Sequence, residues 1–212
     1  MLLTEEQLSV QDMARRFAQE RLAPQSERWD RDHHYPADAI AEMAQLGFFG
    51  MLVPEEWDGN ASGYLSYAVA LEEIAAGNGA CSTIMSVHNS VACMPILKYG
   101  SDAQKDQFLR PLATGQHIGG FALTEPQAGS DASSLRTRAV RDGDHYVING
   151  AKQFITSGPY GPNRDRVRRD RPAGRQARHF GVHRAHRYAG LPGGAGGRQA
   201  GPTSVGHLPD CV

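Results

Sequence analysis

The chain has 212 residues, 40% of them hydrophobic, with a formal net charge of -1. That length suits one large or two small domains. No apolar run reads as membrane-spanning and no basic-then-apolar leader opens the chain, so a cytoplasmic protein off the membrane is expected.

Thr4 with Gln7 forms a capping-box pattern, and Leu8, Met13, Phe17 and Leu22 follow helical spacing up to Pro24. Pro36 suits the first turn of a second helix and Gly47 its C-terminal stop. A third helix is expected over 63–76, burying Leu65, Ala68, Val69 and residues 71–74. A fourth, largely apolar helix over 80–97 reads as buried on most faces. Ser101 caps a fifth that carries Phe108 and Leu109, with Pro111 expected to interrupt it.

The period then changes. Residues 117–124 are short, apolar and Gly-punctuated, as a buried strand would be. Residues 135–141 and 145–148 flank Asp142-Gly143, a hairpin signal, and 152–156 reads as a further strand. Helices first and strands second imply an α+β chain with segregated parts.

The net charge averages two unlike parts. Residues 159–212 hold ten Arg, three Asp and neither Lys nor Glu, giving +7, while residues 1–158 carry -8. The same tail holds ten Gly and six Pro and lacks Ile, Met and Trp, so it has little to bury and is expected to be disordered. Cys81, Cys93 and Cys211 lack metal-ligand spacing and are expected as thiols.

Two stretches carry the chemistry: Phe121-Ala-Leu-Thr-Glu-Pro-Gln-Ala-Gly-Ser-Asp131 and Asn149-Gly-Ala-Lys-Gln-Phe-Ile-Thr-Ser157. Phe121, Leu123 and Thr124 offer alternating backbone groups and a hydroxyl. Gly129 and Ser130 allow backbone approach to an anionic group. Phe154, Ile155 and Thr156 give an aromatic wall followed by another hydroxyl. Such a set suits a flat apolar ring with polar edges. Singly the pieces are ordinary: a core strand, a Glu125-Pro126 turn, a loop with an N-cap at Asp131.

Their conjunction resembles the flavin-contacting strands of the acyl-CoA dehydrogenases. Gly47-Phe-Phe-Gly, Val53-Pro-Glu-Glu and Tyr99-Gly-Ser-Asp-Ala-Gln-Lys105 are similar to the same family. His88-Asn89-Ser90 is similar to its short- and branched-chain members. The resemblance runs over residues 1–158.

It implies an N-terminal all-α helical bundle (1–116), then the opening strands of a β-barrel middle domain (117–160), with the family's C-terminal helical domain absent. It implies FAD bound by Phe121, Leu123, Thr124, Gly129, Ser130, Phe154, Ile155 and Thr156, with Ser130 on the acyl-CoA side. The implied reaction is α,β-dehydrogenation of an acyl-CoA thioester, with electron-transfer flavoprotein as acceptor. The base is implied to be a Glu of the C-terminal domain. No residue of this chain matches it, so no catalytic residue is assigned and an inactive, truncated fragment is expected. Glu125 belongs to the flavin loop, and His33 and His34 read as exposed loop residues. The intact family is homo-oligomeric, which this chain is not expected to be.

From 161 onward the composition is what a GC-rich gene yields in the wrong frame. Joining the last base of one intended codon to the first two of the next lets Arg164-Asp-Arg-Val-Arg168 restore Val-Ile-Val-Phe-Ala. The same shift restores family-like strings from Gln176 to Gly190 and from Gly197 to Thr203. A frameshift between about Pro159 and Asn163 is therefore expected. On that basis the i, i+4, i+7 spacing of His179, His183 and His186 is accidental and no metal site is assigned. The rival reading, an Arg-rich nucleic-acid-binding module, lacks interleaved aromatics, so no specific nucleic-acid partner is assigned.

Overall fold

The computed structural model describes residues 2–142 and 145–158. The expectations for the tail and its frame, for His179, His183 and His186, for Cys211 and for Gly143 lie outside the described residues. The chain divides into two compact units, Met1–Gly119 and Gly120–Val212.

The first unit is helical: α1 Glu5–Phe17, α2 Ala23–Arg31, α3 Ala37–Gln45, α4 Gly63–Gly77, α5 Gly79–Val87, α6 Met94–Tyr99, α7 Asp102–Gln104 and α8 Arg110–Ala113. The capping box at Thr4 is closed on both sides: the Gln7 amide donates to Thr4 Oγ1 (3.2 Å) and the Thr4 amide to Gln7 Oε1 (2.9 Å). Gly47 ends α3 at φ +78°, a left-handed conformation that costs a glycine nothing. The Phe48 amide there reaches back to Met43 O and the Gly47 amide to Ala44 O, a Schellman closure.

Pro24, Pro95 and Pro111 each follow a π-helical turn by two residues, the turns being Ala18–Leu22, His88–Cys93 and Lys105–Leu109. A proline lacks the N–H of a regular helix and its ring strikes the carbonyl four residues back. The wider π turn ahead of the ring relieves both problems. This corrects two expectations: the chain does not leave its helical path at Pro24 or at Pro111, and continues to Arg31 and Ala113.

Phe48, Phe49, Leu22, Met43, Ile74 and Met85 are fully buried and form the centre of the core. In α4 the buried residues are Ser66, Val69, Ala70 and Ile74, whereas Ala68 and Glu72 are exposed. The expected face is met in part: Val69 and Ile74 are buried and Leu71 packs against the core, while Glu73 faces α1 and accepts from Arg15 (2.7 Å) and Gln11 (3.0 Å). The 21-residue stretch Gly79–Tyr99 is long and apolar enough, by length and composition, to cross a membrane, contrary to expectation. Within the helical unit it supplies core: Cys81, Ile84, Met85, His88, Asn89 and Cys93 are buried. Cys81 and Cys93 are free thiols, and burial pushes them up to about 11 and about 12.

Two polar side chains sit at the centre of that stretch. His88 accepts the Gly119 amide on Nδ1 (3.0 Å), which leaves Nε2–H to donate to Leu112 O (3.0 Å). Its ring lies 4.8 Å from that of Phe49. Burial lowers its pKa to about 4, with the Leu112 bond opposing. Asn89 Nδ2 donates to Met85 O (3.0 Å) and Phe48 O (2.8 Å), and Ser90 Oγ to Ser86 O (2.6 Å). These side chains thereby satisfy carbonyls both within the stretch and on neighbouring segments.

In the second unit β1 Arg138–Asp142 pairs antiparallel with β2 His145–Asn149, Val140 opposite Val147. The expected hairpin forms. The strands expected over 117–124 and 152–156 do not. One backbone bond, Gln153 N–H to Thr124 O (2.8 Å), joins them, and φ +58° at Phe154 breaks the extension a ladder needs.

Candidate functional site

Residues 121–131 and 149–157 come together through three consecutive links. Lys152 Nζ donates to Leu123 O (2.8 Å) and to Glu125 Oε1 (2.9 Å), and the Gln153 amide donates to Thr124 O. Pro126 and Gln127 form the tip of a tight turn: Glu125 and Ala128 exchange both backbone bonds (2.9 and 3.1 Å). Beyond it, Asp131 accepts the Ser133 amide (3.1 Å) and the hydroxyls of Ser133 and Ser134, which hold its carboxyl below the usual range.

Glu125 is the hub. Its side chain is 2% exposed and Lys152's 11%. The carboxylate accepts the Arg136 amide (2.6 Å), the Thr137 amide (2.9 Å), Gln127 Nε2 (2.6 Å) and Lys152. Burial alone would raise its pKa. Bonds from Thr137, Arg136 and Lys152 outweigh that and hold it well below the usual carboxylate range. A carboxylate so saturated makes a poor proton acceptor. Gly150 lets this corner close, since a Cβ there would lie 2.1 Å from Thr137 Oγ1.

The expected contact residues divide in two. Leu123, Thr124, Ile155 and Thr156 are half-buried beside the linked backbones. Phe121 and Phe154 stand open at 45% and 84% exposure. Gly129 and Ser130 lie exposed beyond the turn, with open space beside Gly129. Phe154 (φ +58°) and Ser157 (φ +60°) are both in the left-handed region, which costs a non-glycine residue about 1–3 kcal/mol. Ser157 Oγ is buried without a hydrogen-bond partner. Exposed aromatic faces, half-buried hydroxyls and an unpaired buried one fit a flat apolar ring with polar edges. His33 and His34 are exposed, His34 stacked on Trp29. Among the described residues no group of three or more His, Cys, Asp or Glu could hold a metal ion.

Sequence reasoning missed the Glu125–Lys152 pair and the His88 clamp. The signal for the first was a Lys flanked by Gly150-Ala151 and Phe154-Ile155, an odd place for an exposed charge. For the second it was a His–Asn dipeptide inside an otherwise apolar helix.

Residues 4–116 match the family description "Acyl-CoA dehydrogenase, N-terminal domain", and residues 120–162 match "Acyl-CoA dehydrogenase, middle domain". An acyl-CoA dehydrogenase of Bacillus subtilis is 42% identical over 158 residues, 74% of this chain and 42% of that protein. The mitochondrial short-chain specific acyl-CoA dehydrogenase of Rattus norvegicus is 43% identical over 155 residues, 73% of this chain and 38% of its own length. Among solved structures, a glutaryl-CoA dehydrogenase of Mycobacterium smegmatis in complex with FADH2 superposes with TM-score 0.71 at 34% identity, over 75% of this chain and 41% of that one. The chain therefore spans about two fifths of the length of the relatives it matches, and by these matches and its fold it belongs to the acyl-CoA dehydrogenase family.

Proposed function

We propose that residues 121–130 and 154–156 form part of an FAD site serving α,β-dehydrogenation of a short or branched acyl-CoA thioester. The observation that carries this reading is the open, strained Phe154 held next to the bonded pair of segments 123–125 and 152–153. A flavin held there would supply an acceptor for the hydride from the acyl β-carbon. The chain's own residues would do the rest. Phe121 and Phe154 present apolar surface, Leu123 and Ile155 exclude water from its border, and Thr124 and Thr156 offer hydroxyls to a polar edge. Gly129 and Ser130 would approach phosphate or thioester groups. Titrating the chain with FAD, with Phe154→Ala alongside, tests the assignment. Saturable binding weakened by the substitution supports it.

The base is a separate matter. None of the chain's residues matches the Glu that the family resemblance implies, and Glu125 is committed to four donors. We infer that this polypeptide by itself does not turn over, and that a frameshift lies near residues 159–163. Resequencing those codons tests the frame: failure to recover family-like strings in the neighbouring frame would remove that explanation. A cytoplasmic location, and electron-transfer flavoprotein as the acceptor of the whole enzyme, belong to the same reading.

A further inference from the structure

We propose that Glu125 and Lys152 are a positioning pair that sets the register between the two flavin-facing segments. The inference rests on the FAD reading above and adds residues outside the contact set.

The pair is nearly solvent-free, and its bonds tie three segments together: 123–127, 136–137 and the one around Lys152. Lys152 reaches Leu123 O and Glu125, while Glu125 reaches the amides of Arg136 and Thr137 and the side chain of Gln127. A buried ion pair is a weak source of stability, because desolvation consumes most of its Coulomb gain. Two apolar side chains of equal volume would hold the segments as firmly, but without direction. The ammonium and the carboxylate differ in that each bond has a fixed donor, acceptor and angle. One residue after Lys152 the Gln153 amide meets Thr124 O, and one residue later Phe154 turns outward at φ +58°. A slip by one residue would break all three links and replace Phe154 on the open face. Ligand-facing residues are held to useful precision only by such a supporting layer.

The 212-residue chain should be compared as wild type, Lys152→Met, Lys152→Arg and Glu125→Gln. FAD titration would be followed by flavin fluorescence and absorption band, and amide exchange at Arg136, Thr137 and Gln153 by mass spectrometry or NMR. Lys152→Met should raise the Kd for FAD and speed exchange at these amides, each by about tenfold or more. Lys152→Arg should restore most of both, and amides of α5 should be unmoved in every variant. Faster exchange with unchanged Kd and flavin band would make the pair merely structural and overturn the proposal. Wild-type Kd and exchange in Lys152→Met would overturn it as well. If the wild type takes up no FAD, the underlying flavin reading fails and the positioning role falls with it. The exchange data would then report only whether the lock exists. Should Lys152→Met lose the hairpin altogether, Lys152→Arg against Glu125→Gln keeps the comparison open.

Discussion

His88 and Glu125 answer the problem of a buried polar group in opposite charge states. Glu125 stays charged because every donor around it favours the anion. His88 stays neutral because one ring nitrogen is taken by an amide that must donate and burial penalises the cation. Its pKa lies at about 4 folded against the ordinary 6.5, so the unfolded chain binds the proton first as pH falls. Stability is therefore fully present above about 6.5 and drains away between there and about 4, by about 3 kcal/mol. Urea titrations of helical circular dichroism across that range should show the loss. His88→Gln should lower stability at neutral pH and flatten this part of the slope. An unchanged slope would mean that another group carries it.

At the scale of elements, the π turns explain much of what the sequence did and did not disclose. The capping box at Thr4, the stop at Gly47 and the hairpin at 138–149 were legible because each depends on a few neighbouring residues. Pro24 and Pro111 read as breaks, since a proline rule says nothing about a π turn two residues upstream. Segments 117–124 and 152–156 read as strands because apolar period cannot show whether a ladder partner exists. The eight expected flavin residues rest on motif alone, whereas the pair that joins their two segments needed three dimensions, being 27 residues apart. Asn89 is the sharpest test of the π-turn account. Asn89→Ala leaves Phe48 O buried without its side-chain donor and Met85 O with the His88 amide alone, and should cost about 2–3 kcal/mol. Ser90→Ala, losing one part-buried bond, should cost about 1 kcal/mol. Urea midpoints with unchanged m-values would establish both figures; equal costs would contradict the account.

Across the whole molecule, family membership is shown, while the absence of turnover proposed above is a prediction to be measured. The matched domains cover residues 4–116 and 120–162, and the proposed flavin residues of the second come without an assigned base. Proton removal by a positioned group is worth about 10²–10⁴ in rate. Assays with butyryl-CoA, isobutyryl-CoA and octanoyl-CoA and a dye acceptor should accordingly show no turnover at ordinary enzyme rates by this chain.

The flavin site itself is the central claim, and FAD titration of the intact chain meets it most directly. Saturable quenching of flavin fluorescence is expected, with the Kd raised about tenfold in Phe154→Ala. An absence of saturable binding, or equal affinity in Phe154→Ala, would contradict the placement of FAD against residues 121–130 and 154–156.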